Sequence, residues 1–165
     1  MKKKLLPPAL ALAIVALDQI TKQAALQLSP GQRIPVIGDF ISFQLTFNSG
    51  AAFSLGSTVT ALFTLIAALA VIAIPVLLFT RETALSVRII GAMIWGGAAG
   101  NLIDRTLREP GFPNGHVIDF INYNNWFIGN VADIFLVLAL GAVLVMQFCP
   151  PSASEETKAS EEQIN

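Results

Sequence analysis

"TVTALFTLIAALAVIAIPVLLFT", from Thr58 to Thr80, contains no charged side chain, and its only polar side chains are threonines. Its length decides the fold class. About 20 apolar residues, at a helical rise of about 1.5 Å per residue, cross the ~30 Å hydrocarbon layer of a bilayer. A helix on the surface of a soluble domain would keep a charged face, and this stretch has none.

Working outward, three more segments approach the same length, at about Leu5 to Leu28, Leu85 to Leu107 and Gly129 to Cys149. These carry charges, and they lie toward the segments' ends rather than at their middles. The whole chain of 165 residues is 54% hydrophobic and 13% charged, with a mean hydropathy of +0.66, which places it among integral membrane proteins. The net charge of −1 conceals a polarised layout: Lys2, Lys3 and Lys4 open the chain, and Glu155, Glu156, Glu161 and Glu162 crowd its end. No basic surface remains for nucleic acid, so that partner class is excluded. Cys149 and His116 are the single cysteine and the single histidine, too few for an intrachain disulfide or a Cys/His zinc cluster.

The opening "MKKKLLPPALALAIVAL" has the basic start and apolar middle of a signal peptide. The helical pattern continues through "DQITKQAALQL", so a retained anchor is the expectation. If four helices alternate, Lys2, Lys3, Lys4, Arg81, Arg88 and Lys158 share one side, against Arg33 and Arg108 on the other. The excess of Lys and Arg predicts cytoplasmic termini. The two longer connections, about Ser29 to Ser57 and Arg108 to Ile128, then face outward.

The first connection alternates as "FISFQLTF" between Pro and Gly turn signals, which predicts a small sheet on the outer leaflet. The second, through Pro110, Gly111, Pro113 and Gly115, reads as a loop leading into aromatic residues suited to the interface. The fold class is therefore an all-α integral membrane protein, with four transmembrane helices and a small extracytoplasmic β-sheet and loop. Residues 151–165 are polar and of low complexity, and are expected to form a disordered cytoplasmic tail.

Counted along the first helix, Asp18 stands ~20 Å and Lys22 ~26 Å beyond Leu5. Asn101, Asp104 and Arg105 end the third helix on that side, and Asn130 and Asp133 begin the fourth. Ionisable groups cost at least ~2.5 kcal/mol each near the bilayer centre, so a layer of them suggests a functional site. Structural roles are also open: Asp18 and Lys22 are spaced for an i,i+4 pair, and Arg105 could snorkel to headgroups. Asn101 and Arg105 share a helix face and could hold a ligand or brace a neighbouring helix.

Asp119 and Asp133 have no basic residue within several positions. Asp133 could cap the fourth helix, although Asn130 suits that task. If the two carboxylates meet, repulsion and burial split their titration, leaving one as base and one as acid for water-mediated hydrolysis. Nucleophilic alternatives are poorer: Cys149 lies at the opposite end and His116 lacks an obvious serine, although Lys22 with Ser49 would make a Ser/Lys dyad. "GGAAG" at Gly96 to Gly100 lacks the Lys and Ser/Thr of a phosphate loop, and close helix packing explains it better.

Five blocks in order, "DQITK" (Asp18 to Lys22), "NSGAAF" (Asn48 to Phe53), "GNLIDR" (Gly100 to Arg105), "VIDF" (Val117 to Phe120) and "NVAD" (Asn130 to Asp133), resemble those of the lipoprotein signal peptidases, or signal peptidase II. The resemblance covers nearly all of the chain except the tail. It implies a single membrane peptidase domain over residues 1–150, in the bacterial inner membrane with its site facing the periplasm or cell exterior. It also implies an aspartic endopeptidase that removes signal peptides from prolipoproteins, cutting before a diacylglyceryl-modified cysteine.

On that resemblance Asp119 and Asp133 are the catalytic pair, and Asp18, Lys22, Asn48, Gly50, Asn101, Arg105 and Asn130 support the site. It implies no metal or other cofactor, membrane lipids and a lipid-modified prolipoprotein as partners, and a pocket for a globomycin-type inhibitor. The chain departs from the family pattern at Gly129, where Phe is common, and in the longer loop "REPGFPN". A proton-coupled transporter would spread its acids through the membrane thickness, whereas these cluster at one edge. A non-catalytic scaffold for lipidated peptides would share the pocket and differ only in activity.

Overall fold

The protein is described by a computed structural model covering residues 2–50, 56–81 and 83–148. The expected tail, Cys149 and the "AAF" of the second block lie outside the described residues. The elements run α1 (Lys2–Ala25), β1 (Ile34–Ile37), β2 (Ile41–Asn48), α2 (Gly56–Thr80), α3 (Leu85–Leu107), β3 (Val117–Tyr123), β4 (Phe127–Gly129) and α4 (Val131–Phe148). Among the described residues, four helices, with apolar stretches of 18 to 23 residues, are long and apolar enough to cross a membrane. The charge-free stretch forms α2 with Leu62, Leu65, Ile66, Leu69 and Ile72 exposed, as lipid-facing residues would be.

α3 is the centre of the bundle and packs on the other three helices. Its small residues make that possible. A Cβ at Gly96 would lie 2.9 Å from the Ala11 carbonyl oxygen of α1, and one at Gly97 would lie 2.8 Å from Leu136 Cγ of α4. Close packing is thus what "GGAAG" does, with neighbouring glycines serving different helices.

Both connections contribute to one four-stranded antiparallel sheet in the order β1-β2-β3-β4. Across β2 and β3, Asn48 faces Val117, Thr46 faces Asp119 and Ile41 faces Tyr123, so the two connections form one layer at one end of the bundle. The sheet was expected from the first connection alone. The second also forms strands, with β3 paired along β2; "VIDFIN" is buried at every position, so its sequence lacks the period-2 alternation that marks a half-exposed strand. Ile118, Phe120 and Ile121 pack with Ala25 into a small core joined by Leu26, Leu28 and Leu45. A turn through Asn124 (φ 52°) and Asn125 (φ 61°) closes the β3–β4 hairpin, with both central residues left-handed as a type I′ turn requires.

Candidate active site

Asp119 sits in the middle of β3 and Asp133 in the first turn of α4. Both line one cleft of about 690 Å³ together with Asn48, Asn101 and Arg105. Three amide side chains hold the carboxylates, and each amide is oriented by a donor that fixes which end is oxygen.

Asn48 Oδ1 accepts the Gly50 backbone N–H at 2.7 Å, which turns its Nδ2 onto Asp119 Oδ2 at 2.8 Å. Asn101 Oδ1 accepts from Lys22 Nζ at 2.9 Å, so its Nδ2 donates to Asp133 Oδ1 at 3.0 Å. Asn130 Oδ1 accepts the Asp133 backbone N–H at 3.0 Å, leaving Nδ2 to donate to Asp119 Oδ1 at 2.6 Å and Asn101 Oδ1 at 3.2 Å. An amide has two donors and one acceptor oxygen, and this arrangement aims an NH₂ of each at a carboxylate.

The capping role of Asp133 is real and coexists with its place in the cleft. Its Oδ2 accepts the Asn130 backbone N–H at 3.1 Å while Asn130 accepts its own, a reciprocal capping box at the start of α4. The next orphan donor, the Ala132 N–H, goes to Asp18 Oδ1 of α1 at 3.0 Å. The positive end of the α4 dipole therefore faces two carboxylates, which it favours.

Beneath this layer lies an ion cluster. Lys22 Nζ is 2.8 Å from both Asp18 Oδ2 and Asp104 Oδ2, and all three side chains are fully buried. With Asn101 as third acceptor, the ammonium has no donor to spare for a serine, so the Ser/Lys dyad is not formed. Asp104 also pairs with Arg108 Nε at 2.6 Å and accepts the Ile118 backbone N–H of β3 at 3.2 Å. Arg105 does not snorkel. It is 6% exposed and donates through Nη1 to the Asn48 carbonyl at 3.2 Å and the Gly115 carbonyl at 3.0 Å, joining both connections.

Asp119, which lies outside the spans, has its pKa raised to about 6, first by burial, then opposed by the Asn48 hydrogen bond and reinforced by the charge of Asp133. A carboxyl at that value exchanges its proton near neutral pH, as acid–base catalysis needs.

Residues 10–149 match the family described as Signal peptidase (SPase) II. The chain belongs to that family. It is 43% identical over 149 residues to a lipoprotein signal peptidase of Bifidobacterium adolescentis, spanning 89% of this chain and 79% of that one. To the lipoprotein signal peptidase of Mycobacterium avium it is 43% identical over 138 residues, spanning 82% and 74%. Two solved structures of bacterial membrane enzymes, obtained in meso at 2.3 and 1.9 Å, superpose with TM-scores of 0.74 and 0.75 at 26% identity. They cover 87% and 88% of this chain, and 87% and 94% of their own.

As a family member, the protein is a multi-pass peptidase of the bacterial inner membrane. In this chain, the nine residues singled out in the sequence fall into one connected network. Asp104, which binds Lys22, Arg108 and β3, was noted at the end of the third helix but not counted with the site. Its spacing of i+3 from Asn101 was the available signal. Gln19, whose Nε2 donates to the Gly100 carbonyl at 3.1 Å and reaches Asp18 Oδ2 at 3.2 Å, was missed as well. So was Phe127, which lines the cleft.

Proposed function

We propose that the protein hydrolyses one peptide bond of a prolipoprotein, before a diacylglyceryl-modified cysteine, with Asp119 and Asp133 as the catalytic pair. The observation that carries this reading is the set of three oriented amides, which hold a buried carboxylate, Asp119, and a half-buried one, Asp133, on one cleft. Between them the pair shares one proton. The ionised member takes a proton from a water that attacks the scissile carbonyl carbon, while the protonated member donates to the developing oxyanion. Collapse of the tetrahedral intermediate breaks the C–N bond: the departing amine takes the proton from the carboxyl that served as base, and a hydroxyl of the intermediate returns its proton to the other carboxylate as the new carboxyl group forms, which restores the one-proton pair.

The substrate's own anchor suits the placement. Acyl chains add roughly 0.8 kcal/mol of membrane partitioning per buried CH₂, so the lipidated cysteine stays at the interface, beside the layer where spans meet sheet. The sheet end of the bundle faces the periplasm or exterior and both termini face the cytoplasm, an orientation supported by the Lys and Arg distribution. Membrane lipids surround the spans, and a globomycin-type peptide antibiotic would compete for the same cleft.

The test is cleavage, in detergent, of a diacylglyceryl-modified prolipoprotein and its unlipidated form by wild type, Asp119→Asn and Asp133→Asn. Release of the signal peptide from the lipidated form alone, lost in both folded variants, is expected. Turnover retained by either well-folded variant would remove the pair. Binding without any turnover by wild type would leave the scaffold reading.

A further inference from the structure

The space around Asp133 is divided. On one side lies the 690 Å³ cleft between α2, α3 and α4, which holds Asp119 and the polar groups. On the other lies a smaller cleft of about 310 Å³, lined by Tyr123, Ile134, Val137 and Leu138 below Asn130 and Asp133. Among the described residues, only Asp133 and Phe127 border both. The Phe127 ring is therefore the partition, and two contacts fix its place. It stacks on Tyr123 at a centroid distance of 6.1 Å and an interplanar angle of 23°. It also lies over Gly129, where a Cβ would stand 2.5 Å from Phe127 Cε1 and 2.9 Å from Asp133 Oδ2. Any side chain at 129 would push the ring away.

We propose that Phe127, seated on Gly129 and Tyr123, is a specificity-determining wall that assigns the peptide to the larger cleft and an acyl chain of the modified cysteine to the smaller one. This rests on the lipidated substrate proposed above. The larger cleft carries the amides and Arg105, which suit a peptide backbone, and it contains both carboxylates. The smaller cleft descends from Asp133 along Ile134, Val137 and Leu138, one face of α4 by their i, i+3, i+4 spacing. It continues onto the bilayer-facing side of that helix, where Val137 and Leu138 are 66% and 56% exposed. An acyl chain enters it without leaving hydrocarbon, and its glycerol end stays beside the bond to be cut.

The experiment compares two lipopeptides of one sequence, carrying S-dipalmitoylglyceryl or S-dibutyrylglyceryl cysteine, with the purified full chain. Val137→Trp, which fills the smaller cleft, should raise KM for the dipalmitoyl substrate at least tenfold with kcat within twofold, and leave the dibutyryl KM within twofold. Ala67→Trp, in the larger cleft, should raise KM for both. Phe127→Ala, which merges the clefts, should lower the dipalmitoyl-to-dibutyryl ratio of kcat/KM at least tenfold. Gly129→Ala displaces the ring without removing it and should lower the same ratio, which keeps the wall testable should Phe127→Ala not fold. An unchanged ratio in the folded wall variants, or a Val137→Trp effect equal for both substrates, overturns the wall. If wild type cleaves neither lipopeptide, the function proposed above fails and the wall falls with it.

Discussion

Asp119 shows how one side chain's burial becomes a measurable property of the protein. Its pKa in the folded state is raised to about 6 from an ordinary value of 3.8, so between those values the folded chain holds a proton that the unfolded chain has released. Stability from this group is complete below pH ~4 and declines as pH rises through about 6, by up to about 3 kcal/mol at ~1.4 kcal/mol per pH unit. Asp119→Asn removes that titration. In thermal melts from pH 4 to 7 in detergent, the difference between variant and wild-type midpoints should shift steadily in favour of the variant as pH rises. Acids remote from Asp119 are common to both proteins and cancel, so what remains is the titration of Asp119 together with the Asp133 charge that acts on it. A difference that stays flat across that range would mean that Asp119 keeps an ordinary pKa in the fold.

At the scale of elements, the start of α4 and the site are one object. Asn130 caps the helix through Oδ1 and reaches Asp119 through Nδ2, so its two ends are separable by mutation. Asn130→Ser keeps a capping oxygen and loses the amide donor. Its stability should stay within about 1 kcal/mol of wild type, the usual worth of a cap, while kcat falls at least tenfold. Asn130→Ala should lose both. Equal activity in the Ser variant would reduce Asn130 to a cap. Much of this was legible in the sequence. The four spans follow from length and apolarity alone, and "NVAD" carries the spacing of a capping box. β3 was not legible, because a strand buried on both faces has no alternation and, at seven residues, is too short for length to separate it from loop or helix. The link from Lys22 to Asn101 was hidden for another reason: Lys22 and Asp18 sit i,i+4, and that local pair explains both residues without any partner elsewhere.

For the whole molecule, the ion cluster ties the sheet, the central helix and the helix carrying Asp133 to α1. Lys22, Asp18 and Asp104 are fully buried, and with Arg108 the group is neutral. Its geometry reaches each part: Asp18 holds the Ala132 N–H of α4 and Asp104 the Ile118 N–H of β3. The fit is close, since a Cβ at Gly100 would stand 2.6 Å from Asp18 Oδ2. Buried pairs add little over an apolar replacement, but removing one partner strands the other's charge. Lys22→Met should therefore cost about 3–5 kcal/mol, read as a large fall in the detergent melting midpoint. Lys22→Met with Asp18→Asn restores neutrality and keeps an oxygen for the Ala132 N–H, so it should regain part of that loss. It should not regain full activity, because Asn101 Oδ1 has lost the shorter, charged donor of the two that turn its NH₂ onto Asp133 and keeps only Asn130 Nδ2 at 3.2 Å. Stability and turnover recovering together would show that Lys22 only balances charge; stability recovering alone would show that the same lysine also orients the site.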